Sequence, residues 1–89
     1  MNVKEAVAIA KSYVADLFGT EGAQNIALEE VEPDLDNGEW LVTIGFSRPW
    51  DNSSLFASVG AATRRTYKLV RISVKDKQVI SVKNRETKN

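Results

Sequence analysis

Ser47-Arg48-Pro49-Trp50-Asp51 is the string in this 89-residue sequence best equipped to hold a partner. Arginine presents a planar fork that fits carboxylate or phosphate, tryptophan offers a broad stacking surface, and proline restricts the backbone between them. Arg48, Trp50 and Asp51 therefore form one candidate rim. The competing reading has Trp50 closing the end of the core while Arg48 pairs with Asp51 to fix the loop. A second candidate is Arg64, Arg65, Lys68 and Arg71, which with Tyr67 for stacking would suit an anionic ligand or single-stranded nucleic acid. Strand alternation puts Arg65 and Arg71 on one face and Arg64 and Lys68 on the other, which splits that cluster. The aromatic-rich signature of RNA-binding sheets is missing. A third set comprises the acids Glu29, Glu30, Glu32, Asp34, Asp36, Glu39 and Asp51, since paired carboxylates can do acid–base work or hold a divalent cation. They do not follow the spacing of a calcium loop, and the sequence holds no glycine-rich phosphate loop and no serine nucleophile motif. Solvated acids flanking a hairpin are the expectation, with no metal, no cofactor and no catalytic residue.

Composition narrows the chemistry further. With no cysteine and no histidine, disulfides, thiolate nucleophiles, Cys- or His-ligated metals and serine–histidine catalysis are unavailable. A content of 43% apolar and 27% charged residues is that of a folding globular chain. The length suits one domain, residues 1–89. The start, Met1 to Glu5, leads into an interrupted apolar pattern, so neither a signal peptide nor a membrane span is expected, and the cytoplasm is the expected compartment. Twelve bases balance twelve acids, but unevenly along the chain. Residues 1–63 carry three bases and ten acids, and residues 64–89 carry nine bases and two acids. Such a split marks either an anionic-partner surface or acidic and basic strands that pair across one sheet.

These residues need elements to position them. Asn2 and Glu5 make a near capping box ahead of Val3, Val7, Ala10, Val14, Leu17 and Phe18, which predicts an amphipathic helix of about sixteen residues ending at a left-handed Gly19. The period then changes. Ile26 and Leu28 alternate, an irregularity precedes Val31, and Pro33 closes this strand. Asn37-Gly38 predicts a tight hairpin with positive φ at both residues. Trp40, Val42, Ile44 and Phe46 follow as a strand with one apolar face. Residues 48–63 form a long loop with room for a short helix capped near Ser53 or Ser54. Arg64 to Val74 make a third strand, with a register break or burial on both faces near Leu69 and Val70. After a turn at Lys75-Asp76-Lys77, a last strand around Val79 to Val82 frays into residues 84–89.

The expected fold is α+β: one N-terminal helix packed on a four-stranded antiparallel meander, with the long loop between strands 2 and 3. Trp40, Val42, Ile44 and Phe46 face the helix. Leu41, Thr43, Gly45 and Ser47 line the other face with some of Arg65, Tyr67, Leu69 and Arg71. No second helix is predicted to cover that face. Either the long loop folds over it, or it meets a homodimer mate or protein partner. Arg48, Trp50, Asp51, Arg65, Tyr67 and Leu41 are the candidate partner contacts, and no membrane contact is expected.

Glu5-Ala6-Val7-Ala8-Ile9-Ala10 in the helix, Thr66 to Val74, and Lys77-Gln78-Val79-Ile80-Ser81-Val82 resemble the small PepSY-like and cystatin-like α+β domains, over most of residues 3–83. The resemblance implies a helix laid on a curled antiparallel sheet and a noncatalytic, regulatory or protein-binding role. The final turn here has no glycine, and no signal peptide is expected, in contrast to the many exported PepSY members.

Overall fold

The computed structural model describes residues 1–49 and 65–85. Its order is helix α1 (Val3–Phe18), a short 3₁₀ turn (Gly19–Glu21), then strands β1 (Gln24–Asp34), β2 (Glu39–Ser47), β3 (Thr66–Ser73) and β4 (Gln78–Asn84). The strands form one antiparallel sheet in the order β1-β2-β3-β4, and the helix packs on one face of it. The fold is thus the α+β meander expected from the sequence.

The helix starts where Asn2 caps it. Asn2 Oδ1 accepts from the Glu5 backbone N–H at 2.8 Å, and Glu5 Oε1 accepts from the Asn2 N–H at 3.1 Å, so two otherwise orphaned donors are satisfied reciprocally. Ala6, Ala10 and Val14, four residues apart, are fully buried. Two of the three are alanines, and side chains this small let the helix axis lie close to the strands. Beneath them Val42, Ile44, Phe46, Val70 and Ile72 are also fully buried, with Trp40 packed at the margin. The Phe18 and Phe46 ring centroids lie 5.1 Å apart, which closes the core at the helix C-terminus.

Local geometry departs from the sequence expectation at several points. Gly19 is right-handed at φ −60° and opens the 3₁₀ turn; the left-handed residue is Gly22, at φ +81°. The chain needs one more tight turn before it can reverse into β1, so the stop moves three residues on. Pro33 does not end β1 but pairs with Trp40 inside it; β1 is an edge strand, where a missing N–H need not break a ladder. The first hairpin is a four-residue loop, Leu35 to Gly38, with positive φ at Gly38 (+64°) and not at Asn37. The Asp34 carbonyl and carboxylate both accept hydrogen bonds from Asn37, which ties Asn37 back to the end of β1. β3 keeps an unbroken register with β2 from Ser73 to Thr66. Its apolar residues on both parities reflect two faces shielded to different degrees. β4 reaches Asn84, and the Arg85 N–H donates to the Tyr67 carbonyl at 2.9 Å, so pairing continues past the start of the expected tail.

Trp50, Asp51, Arg64, the short helix expected near Ser53 or Ser54, and residues 86–89 lie outside the described residues. Among the described residues no helix is long and apolar enough to cross a membrane.

Candidate functional site

The sheet face away from the helix is built from the odd-numbered residues of β2 and β3 with Ser81 and Lys83 of β4; a bulge at Ile80 turns Val79 to the helix side. Cross-strand rows run Leu41–Arg71–Ser81 and Thr43–Leu69–Lys83, and Gly45 stands opposite Tyr67. β1 joins them through Glu32 opposite Leu41 and Glu30 opposite Thr43. A bulge between Leu28 and Glu30 shifts the alternation by one. Leu28 and Val31 thereby share the helix side, paired with Ile44 and Val42, while Glu29 and Glu30 both serve the open face. The irregularity foreseen in β1 is what delivers two carboxylates to one surface.

Those carboxylates meet arginines. Glu39, only 8% exposed, takes a two-pronged contact from Arg71, Nε to Oε1 and Nη2 to Oε2, both at 2.8 Å. These hydrogen bonds, then the carboxylate's charge, hold the Arg71 pKa above its ordinary value. Arg65 Nη2 donates to the Asn25 carbonyl at 2.8 Å and approaches Glu29 Oε2 at 3.5 Å. Arg85 pairs with Glu30 at 2.9 Å and donates to Thr43 Oγ1 at 3.1 Å. Acids from β1 and β2 thus bind bases just before β3, within it and just after β4, and the charge split along the sequence becomes a ladder of pairs across the sheet. Gly45 has a part in it. A Cβ there would stand 2.6 Å from Glu29 Oε2, so the absent side chain leaves Glu29 room to lie over the strand toward Arg65.

Between the pairs sit Leu41, Tyr67 and Leu69, each half-buried. Beside Tyr67 a concavity of about 260 Å³ is lined by Glu29, Glu30, Thr43, Tyr67 and Arg85. The face has a half-buried apolar and aromatic centre and a charged border. Among the described residues, the acids do not gather into a group of three or more that could hold a metal ion.

The candidate residues fall into two groups. Leu41, Arg65, Tyr67 and Arg71 share the open face. Arg48 belongs to the helix side: its guanidinium lies 5.6 Å from the Phe46 ring centre, pairs with Glu21 at 2.9 Å and donates to Thr66 Oγ1 at 3.0 Å. It clips the 3₁₀ turn to β3, and the sheet separates it from Arg65 and Tyr67. Lys68 is also on the helix side, 4.9 Å from the Phe18 ring centre and hydrogen-bonded to Asn84. Burial lowers its pKa, as does the neighbouring Arg48 charge, with Glu21 opposing. Arg65, Lys68 and Arg71 therefore do not converge on one anion.

Sequence reasoning missed a second feature. An apolar trough of about 430 Å³ runs between α1 and β1, floored by Val7, Leu28 and Val31 and edged by Lys4 and Lys11. Its signal was the bulge at Glu29, which turns Leu28 and Val31 to the same side.

No family model, curated protein or solved structure matches this chain.

The ion pairs carry a ranked expectation for stability. Glu39→Ala removes the nearly buried partner of a bidentate contact, so its denaturation midpoint should fall well below that of Glu30→Ala, whose pair is largely exposed and worth roughly 0.2–1 kcal/mol. In 1 M salt, where screening acts within about 3 Å, the Glu30 effect should shrink and the Glu39 effect should persist. Equal losses for both variants in urea denaturation would contradict this ranking.

Proposed function

We propose that this protein is a small noncatalytic binding or regulatory domain that engages another chain through the open face of its sheet, as a self-associating protein or an accessory subunit. The observation that carries the reading is the makeup of that face: half-buried Leu41, Tyr67 and Leu69 at the centre, with Arg65, Arg71 and Arg85 already held by carboxylates. Tyrosine and arginine are the residue types that dominate binding energy at protein interfaces. Arginines locked in place before docking lose less side-chain freedom on binding. The same pairing weighs against a general anion or nucleic-acid surface, because the forks of Arg65 and Arg71 are engaged by Glu29 and Glu39. The order of a helix followed by an antiparallel sheet supports a likeness to PepSY-like and cystatin-like domains in architecture, and a cytoplasmic setting belongs to the same proposal.

Lysine-directed cross-linking in the native cells, read out by mass spectrometry, tests the reading. Cross-links to another chain, foreign or identical, are expected at Lys83 on the open face, and Leu69→Asp should abolish them while circular dichroism stays native. Cross-links that concentrate at Lys4 and Lys11 on the helix side, or that survive Leu69→Asp, would contradict it.

A further inference from the structure

We propose that the occupant of the open face is a second copy of this chain, docked face to face about a two-fold axis parallel to the strands. The inference rests on the reading of that face as an interface and adds the partner and its symmetry.

Charge selects the axis. On β1, one edge of the sheet, Glu29 and Glu30 are held by Arg65 and Arg85; among the described residues Glu32 is left over there, and on β4, the other edge, Lys83 is left over. Each copy thus keeps an acid on one edge and a base on the other, with zero net charge and so no overall repulsion between copies. Rotation about an axis parallel to the strands lays the β1 edge of one copy over the β4 edge of the other. Rotation about an in-plane axis across the strands would set β1 over β1 and acid over acid. Glu32 and Lys83 are exposed and have no ion-pair partner among the described residues. Their backbone positions lie one cross-strand row apart, close enough for long side chains to meet diagonally.

Shape selects the same axis. On this face β3 presents the large side chains Tyr67, Leu69 and Arg71, while β2 opposite them presents Gly45, Thr43 and Leu41. The axis along the strands puts the second copy's β3 over β2, so Leu69 of the second copy arrives over Thr43 and its Tyr67 over the Glu29 side chain that covers Gly45, beside the concavity. The other axis would set β3 over β3 and β2 over β2 with their directions reversed, so the large residues of β3 would meet one another. In an isologous interface both complementarities count twice.

Size sets the strength. Four strands spaced about 4.8 Å apart and roughly eight residues long give a footprint on the order of 500 Å² per copy, and the resulting total of about 1,000 Å² is at the low end for specific interfaces. A reversible, concentration-dependent dimer follows, with stacked sheets about 10 Å apart.

Sedimentation equilibrium of the full chain, with light scattering as a second readout, tests the proposal. The mass should rise with concentration from 9.9 kDa toward twice that value. Glu32→Lys and Lys83→Glu should each raise the dimer Kd by on the order of tenfold, since each reverses a rim contact at two symmetry-related places. An equimolar mixture of the two variants should recover wild-type affinity, because each then supplies the charge that the other lacks. A mass fixed at the monomer value up to millimolar concentration would overturn the proposal, as would single variants that dimerise like wild type. Cross-links from Lys83 to a foreign chain, combined with a strictly monomeric purified protein, would overturn the dimer and leave the proposed function standing.

Discussion

Phe46→Ala is expected to lower the unfolding free energy by about 3–5 kcal/mol. Phe46 is fully buried, stacks at 5.1 Å on Phe18 and sits under the Arg48 guanidinium. Its loss opens a cavity where the helix C-terminus meets the end of β2, and the neighbouring segment is fixed by the Arg48–Glu21 pair, so collapse into the space is restricted. At roughly 0.05–0.15 kcal/mol per residue, a chain of 89 residues has only about 4–13 kcal/mol in total. The variant should therefore lose a large share of its stability, with its urea midpoint lowered and its m-value unchanged. Ile80→Ala, at a bulged and half-exposed edge position, should cost less than about 1 kcal/mol. Similar losses for the two would place the core elsewhere.

Gly22→Ala is expected to cost about 2–3 kcal/mol, from a left-handed backbone worth roughly 1–2 kcal/mol and a steric contact added to it. Gly22 has φ +81°, and a Cβ there would stand 2.8 Å from Cδ of Pro49, a ring that cannot swing aside. The contrast is Gly19→Ala. Gly19 is right-handed, with nothing within 4 Å of an added Cβ, so alanine there should stabilise the fold by about 0.4–1 kcal/mol through the unfolded chain. The two glycines lie three residues apart and should shift thermal unfolding in opposite directions. A shift of the same sign would contradict the assigned backbone.

The reversal of those two glycines shows where the sequence stops being informative. A glycine after an apolar helical run is the usual left-handed cap, and nothing local distinguishes Gly19 from Gly22. What tells them apart comes from outside the segment: Pro49, distant in sequence, lies against Gly22 and leaves no room for a Cβ there. The helix and its cap were legible because Asn2, Glu5 and the 3.6-residue period all act within one segment. β2 was legible because strict alternation from Trp40 to Phe46 specifies one buried face. The turn at Leu35 to Gly38 was harder: Asn37-Gly38 favours a two-residue hairpin, but the Asp34 side chain holds Asn37 and lengthens the loop.

For the candidate site, parity alone placed Leu41, Arg65, Tyr67 and Arg71 together and separated Lys68 from them. Partnership was not legible. Arg48 binds Glu21, 27 residues away, a partner that no local spacing points to. Which arginine takes which carboxylate depends on registers and on the Glu29 bulge, and both are fixed by pairing between strands. The neutral total of 12 against 12 charges concealed an ordered ladder, with each acid of Glu29, Glu30 and Glu39 matched to its own arginine.

The most direct test of the face-to-face dimer is a dilution series of the isotope-labelled chain followed by NMR. The Leu41 and Leu69 methyls and the Tyr67 ring should shift together with concentration, while Val3, Val7 and Tyr13 on the helix stay fixed. Shifts confined to the helix residues, or no shift at either surface, would contradict the account.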